Sequence, residues 1–267
     1  MKASPALRIG TRASLLATTG IALCLAGCVP DARALPDPGA PTPAASSTAG
    51  SGAGAPRVGS GSAAAALRTL KVKGRAPKTG YTREQFGQAW SDAVDVPGGH
   101  NGCDTRNDIL RRDLTGETLK PRTRGCIVLT GTLHDPYGGA TIAFRRGNGT
   151  STLVQIDHVV ALSNAWQTGA GTWSATKRAQ LGNDPLNLMA VQGNLNSAKG
   201  DGDAATWMVP RKAFRCTYVA RQVAVKARYG LWVTAAEHDA MARILATCPG
   251  QPLPTEAQAA VPAPAGH

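Results

Sequence analysis

The sequence predicts one α+β domain, stapled by disulfides and flanked by segments too simple in composition to pack. Three observations carry this. Between about residues 80 and 250, short apolar or β-branched runs alternate with stretches of helical spacing, the mix expected of a small α+β fold. Both ends of the 267-residue chain are rich in Ala, Pro, Gly and Ser, which bury too little apolar surface to offset the entropy of ordering. Of the six Cys, four lie inside the predicted domain, an even number that reads as two disulfides in an exported chain.

The amino terminus reads as an export signal over residues 1–27. Lys2, Arg8 and Arg12 form its positive region, and Leu15 to Leu25 is apolar but short for a membrane span. It ends in Leu25-Ala26-Gly27-Cys28, which resembles a bacterial lipobox with Cys28 as the lipidated residue. Residues 28–79 then form a flexible tether, 80–250 the folded domain and 251–267 a disordered Pro/Ala tail. The formal net charge is +12, which suits a polyanionic partner without identifying it.

Within the domain, Thr82 and Gln85 make a capping-box pattern ahead of Phe86, Ala89 and Trp90, so a helix is expected there. Pro97-Gly98-Gly99 breaks it. The polar run from His100 to Asp113 contains Arg106 and Arg111, which either face a phosphate or sit on an exposed helix behind a disulfide-pinned turn. Cys126 to Leu133 and Thr141 to Arg145 form a hairpin across Asp135-Pro136-Tyr137-Gly138-Gly139. Leu153-Val154-Gln155-Ile156 is a strand that ends on Asp157-His158. Two helical pieces, Val159 to Gln167 and Ser174 to Leu181, separate it from a second strand, Asn187 to Val191. A turn leads to Asn196 and Lys199, one helical turn apart. Gly200-Asp201-Gly202-Asp203 lacks the rest of a calcium-loop pattern and reads as a turn. Phe214 to Tyr229 is a buried helix with a basic side. Arg221 and Arg228, seven apart, share a face that either tracks a nucleic-acid backbone or is solvated. Thr234 and Glu237 cap a last helix that ends at Cys248-Pro249.

Cys103, Cys126, Cys216 and Cys248 allow three pairings. The expected one is sequence-local, Cys103 with Cys126 and Cys216 with Cys248. No C-x-x-C spacing favours zinc instead.

The order Asp157-His158, Asn187, Asn196, Lys199 resembles the HNH nucleases with a ββα-metal core. The wider context over residues 80–250 resembles an exported bacterial HNH family related to the C-terminal domain of GmrSD-type modification-dependent restriction enzymes. The resemblance is most specific at Asp157-His158 and at Asp184-Pro185-Leu186-Asn187-Leu188. It implies that His158 is the general base, that Asn187 holds the loop bearing it, and that Asp157 and Asn196 are metal ligands. It also implies that Lys199 meets a phosphate. Two protein oxygens suit one Mg²⁺ or Mn²⁺. The structural zinc of many HNH proteins is missing, and disulfides would replace it.

The implied function is a metal-dependent endonuclease acting on DNA, with RNA as the second substrate, and with little sequence preference. Its only membrane contact would be the lipid anchor. Arg106, Arg111, Arg221 and Arg228 are the candidate phosphate contacts. The alternative is a non-catalytic surface lipoprotein that binds nucleic acid or another acidic polymer.

Overall fold

The computed structural model describes residues 61–264. The expected signal segment, Cys28 and the tether as far as residue 60 lie outside the described residues, as do residues 265–267. Helices are α1 (Ala63–Leu67), α2 (Thr105–Asp113), α3 (Leu162–Gln167), α4 (Ala175–Asn183), α5 (Gly193–Lys199), α6 (Arg215–Tyr229), α7 (Ala235–Ala246) and α8 (Glu256–Ala259). Strands are β1 (Leu114–Leu119), β2 (Val128–His134), β3 (Thr141–Arg145), β4 (Val154–His158) and β5 (Leu188–Gln192). None of the described helices is long and apolar enough to cross a membrane.

Strands β1, β2 and β3 form an antiparallel meander, and β4 and β5 a separate antiparallel pair. The register of that pair sets Asp157 opposite Met189 and His158 opposite Leu188. Helix α5 follows β5 without a break, completing a β–insert–β–α unit in which α3 and α4 are the insert.

Side-chain alternation explains where this unit sits. Leu188 and Ala190 on β5 join Val154, Ile156, Ile109, Leu110 and Phe144 in one apolar core against α2 and the meander. Met189 and Val191 point the other way, into a larger core built around α6. Both faces of β5 are therefore buried, as its nearly unbroken apolar sequence requires. Helix α6 supplies Tyr218, Val219, Val223 and Ala224 to that core. It ends at Gly230, whose φ of 70° allows the N–H of Leu231 to reach the carbonyl of Lys226. Helix α7 starts with the expected Thr234–Glu237 capping box.

The disulfides pair locally. Cys103–Cys126 ties the approach to α2 to that of β2, and Cys216–Cys248 ties the start of α6 to the residues after α7. Closing loops of 23 and 32 residues contributes about 3–4 kcal/mol each in the chain-entropy view.

Four expectations need correction. First, the folded body begins before residue 80. Ala63, Leu67 and Leu70 are buried against α6 and α7, and Val72 bridges Val233. Full burial of a Leu is worth about 1.5–3 kcal/mol, enough to hold a segment that otherwise looks like linker. Second, the carboxy-terminal tail packs as far as it is described. The Ala63 N–H bonds the Gln251 carbonyl, and Leu253 and Ala259 are buried. Third, Thr82 caps no α-helix. Arg83–Phe86 is one 3-10 turn without a side-chain cap, and Arg178 takes both the carbonyl and the side-chain oxygen of Gln85. Fourth, β1 was not expected. Its sequence, Leu-Thr-Gly-Glu-Thr-Leu, carries a Gly at φ 60° and an irregular register, so the alternation of a strand is broken.

Candidate functional site

His158 ends β4 and is almost completely buried. Its Nε2 lies 2.9 Å from the carbonyl oxygen of Gly182. A carbonyl can only accept, so Nε2 carries the proton and Nδ1 is the basic nitrogen. Burial, more than any charge nearby, pushes the imidazole pKa down to about 4. The ring therefore stays neutral at physiological pH. The indole of Trp90 stacks on it, with centroids 5.9 Å apart and 16° between the planes.

Asn187 is fully buried and holds the chain on both sides of that imidazole. Its Oδ1 accepts from the N–H of Val160 at 2.8 Å. Its Nδ2 donates to the carbonyls of Val160 (3.2 Å) and Leu181 (3.4 Å). One amide thus fixes the segment after His158 and the end of α4, which supplies the Gly182 acceptor. The turn carrying Asn187 is itself clamped. Asp184 accepts from the Leu186 N–H and the Tyr229 hydroxyl, and the Pro185 carbonyl accepts from Arg112 and Arg221.

Asp157 is buried, with both oxygens engaged. Oδ1 lies 2.9 Å from Lys199 Nζ, and Oδ2 accepts from the Tyr137 hydroxyl at 2.5 Å. Burial first, then the Asp157 charge, raises the Tyr137 pKa well above its usual value, so the phenol remains a donor. Lys199 Nζ also donates to the His158 carbonyl at 2.9 Å. Asn196, half-buried on α5, gives Nδ2 to Gln155 on β4 at 2.8 Å. Its remaining polar side-chain atom is a carbonyl oxygen.

These residues meet at one polar cleft of about 660 Å³, walled by Asp157, His158 and Asn196 together with Arg83, Arg106 and Trp90. Lys78 stands at its rim, paired with Asp201 at 3.0 Å. Among the described residues no three His, Cys, Asp or Glu side chains come together to hold a metal ion. Two of the groups that line the cleft, the Asp157 carboxylate and the Asn196 amide oxygen, are hard ligands. Each Asp157 oxygen keeps a lone pair beyond its single hydrogen bond. The set fits a hard dication that takes its other ligands from water and phosphate.

The arrangement departs from sequence expectation at the basic residues. Lys199 does not face a phosphate; its side chain is wholly buried beneath Asp157 and His158. Arg221 faces inward onto the Pro185 and Leu186 carbonyls, and Arg228 stands 3.4 Å from Asp184. Arg111 donates to the carbonyls of Pro262 and Ala263. These three arginines build the scaffold. Only Arg106 among the four candidates lines the cleft, half-buried with Nη2 3.4 Å from the Val154 carbonyl. Burial, then Arg146, lowers its pKa.

Sequence reasoning missed Tyr137, Lys78 and Arg83 and gave Trp90 no role beyond helix spacing. Tyr137 had one signal, an aromatic ring in a Pro/Gly turn where a solvated side chain is the norm. Trp90 and Arg83 had none, because they reach the site from a segment far away in sequence.

The family described as the C-terminal domain of GmrSD restriction endonucleases matches residues 104–244. A protein of Arthroderma benhamiae described as an uncharacterized secreted protein is 38% identical over 184 residues, which cover 68% of this chain and 82% of that one. No solved structure matches the chain.

Proposed function

The chain belongs to the family of the C-terminal domain of GmrSD restriction endonucleases, and from that premise we propose that it is a metal-dependent endonuclease. Its substrate would be DNA, with RNA second, cut with little regard to sequence. The observation that carries this reading is the tautomer of His158. With Nε2–H donated to Gly182, Nδ1 is left as the basic nitrogen of a neutral imidazole, on a residue that lines one cleft with Asp157 and Asn196.

The chemistry follows from these placements. A water in the cleft attacks phosphorus and gives its proton to His158 Nδ1, while the bond from phosphorus to the leaving oxygen breaks. Asn187 keeps the imidazole oriented through the Val160 and Leu181 carbonyls. Arg83 and Arg106, with Lys78 at the rim, hold the phosphate. Asp157 and Asn196 would hold the cation, and Tyr137 and Lys199 fix the Asp157 carboxylate. A bound Mg²⁺ or Mn²⁺ supplies charge stabilisation at the phosphate and the leaving oxygen. Among the described residues no base-reading helix or finger accompanies the site, so phosphate contacts dominate and binding should be salt-dependent.

Two disulfides, and a relative described as secreted, support work outside the cytoplasm. The proposal extends to residues 1–27 as an export signal and to Cys28 as the lipidated end of a tether that displays the domain on a bacterial membrane.

Plasmid nicking by the purified protein, with Mg²⁺, with Mn²⁺ and with chelator, tests the reading. Metal-dependent nicking that disappears in His158→Ala is expected. Folded wild-type protein that binds nucleic acid in either metal but cuts neither DNA nor RNA would overturn it in favour of a binding protein.

A further inference from the structure

Two cavities meet at His158. One is the polar cleft. The other is smaller, about 280 Å³, and its exposed lining is mainly apolar, with Phe86, Ala89, Trp90 and Leu162 in its walls. Arg83, Trp90, His158 and Leu162 border both. Asn183 also lines the smaller cavity. Its Nδ2 donates to the Ala179 carbonyl, but its buried Oδ1 has no hydrogen-bond partner among the described residues. An unmade hydrogen bond at a buried acceptor is costly and calls for a donor. Trp90 holds φ at 61°, a backbone conformation in which a bulky side chain is strained. Such strain persists where surrounding contacts impose it, and functional sites are common places for it.

We propose that the apolar cavity beside His158 receives the nucleobase next to the scissile phosphate, so that the enzyme acts on strands whose bases are unpaired. The proposal rests on the nuclease reading and names its substrate. A nucleotide has an anionic half and a flat, largely apolar half with N–H donors on its edge. The two cavities are weighted in the same way: Lys78 and Arg106 border the cleft alone, and Phe86 and Ala89 border only its neighbour, where Glu84 and Gln88 also stand, while Arg83, Trp90 and Leu162 are shared. Their shared wall is the residue that takes the proton. A base inside a stacked duplex cannot enter such a cavity without leaving the helix. Aromatic walls accept any base, since every base has a π-face, and this agrees with the absence of a base-reading element.

The test uses single-stranded DNA oligonucleotides, either intact or carrying one abasic residue, with Mg²⁺ or Mn²⁺. Cleavage at the phosphates flanking the abasic residue should be about tenfold slower than at the same phosphates in the intact strand, the loss of one stacked base. The fully paired duplex should be cut more slowly than the single strand. Trp90→Ala removes the indole but also uncovers His158, so Ala89→Leu is the cleaner variant. Ala89 is exposed, and a larger side chain there narrows the cavity without touching the core. It should bring the ratio of intact to abasic cleavage towards one. Equal rates on both strands in the wild type, a duplex cut faster than the single strand, or a ratio untouched by Ala89→Leu would each overturn this proposal and leave the nuclease reading standing. A wild-type protein that cuts no strand would overturn both.

Discussion

Two buried lysine–carboxylate pairs lie among the described residues. Lys226 on α6 stands 2.9 Å from Glu237 on α7, and Lys199 on α5 stands 2.9 Å from Asp157 on β4. In each, both side chains are withdrawn from solvent. Their surroundings differ. Lys226 also donates to Asn164 and to the Trp232 carbonyl, so its ammonium is shared among α3, α7 and the loop between α6 and α7. Burial lowers the Lys226 pKa and raises that of Glu237, so each group is pushed towards neutrality while the charge of its partner opposes that shift. In the Lys199 pair it is Asp157 that lines the cleft, and the ammonium beneath it also grips the carbonyl of His158. A buried ion pair is weak evidence of stabilisation, since desolvation offsets most of the attraction. What it faces is more informative. One pair closes a junction between helices; the other fixes a carboxylate where it can be used.

Substitutions can break this contrast. Lys199→Met should have the largest effect. It leaves Asp157 buried without its cation, at a cost of about 3–5 kcal/mol, and it frees the His158 backbone. Thermal unfolding should show the loss, and nicking should fall at least about a hundredfold, the scale of a displaced acid–base group. Lys226→Met should lower stability by a similar amount, about 3–5 kcal/mol, yet leave nicking per folded molecule unchanged below its lowered melting temperature. Lys226→Met with Glu237→Leu should recover most of that stability. If Lys226→Met abolished nicking by folded protein, the division between the two pairs would fail.

The arginines sharpen it further. Arg83→Ala and Arg106→Ala should each weaken DNA binding and reduce the slope of log K against log salt by about 1. Arg221→Lys should leave that slope alone and lower the melting temperature, because lysine lacks the planar fork whose Nε and Nη2 reach the Leu186 and Pro185 carbonyls. Binding isotherms across a salt series separate the two outcomes.

The smallest effect is in pH. His158 must be neutral to accept a proton, so nicking should hold through pH 6.5 and fall only near pH 4. For stability, the unfolded chain takes up this proton near pH 6.5 and the folded chain not until about 4. Between those values the unfolded state binds more protons, so stability declines as pH drops across that window. His158→Gln should flatten that part of the curve.

Much of the site was legible because it is local. Asp157-His158 closes a strand, Asn187 precedes the partner strand, and Asn196 and Lys199 lie one turn apart on the helix that follows. What escaped is long-range. Periodicity says that Arg221 and Arg228 share a face, but not that the face meets carbonyls of the Asp184-Pro185-Leu186 turn, since backbone acceptors leave no mark in a sequence. Ala63, Leu67 and Leu70 are isolated apolar residues in a basic and Gly-containing stretch. They count as core only once α6 and α7 are there to receive them. Lys78, Arg83 and Trp90 are the same case at the cleft.

The seam between the ends of the folded body has a consequence for how the chain could be rewired. Ser62 bridges Pro252, and the Ala63 N–H meets the Gln251 carbonyl, so residues far apart in sequence are spatial neighbours. Topologically the body is nearly a ring. A linker from the residues that follow the packed tail back to Ser62 would permit new ends elsewhere, and the exposed Gly147-Asn148-Gly149 turn between β3 and β4 is the natural place to open the chain. Such a permutant would be synthesised with β4, α3, α4, β5 and α5 first, so the β–insert–β–α unit would leave the ribosome before the meander that packs against it.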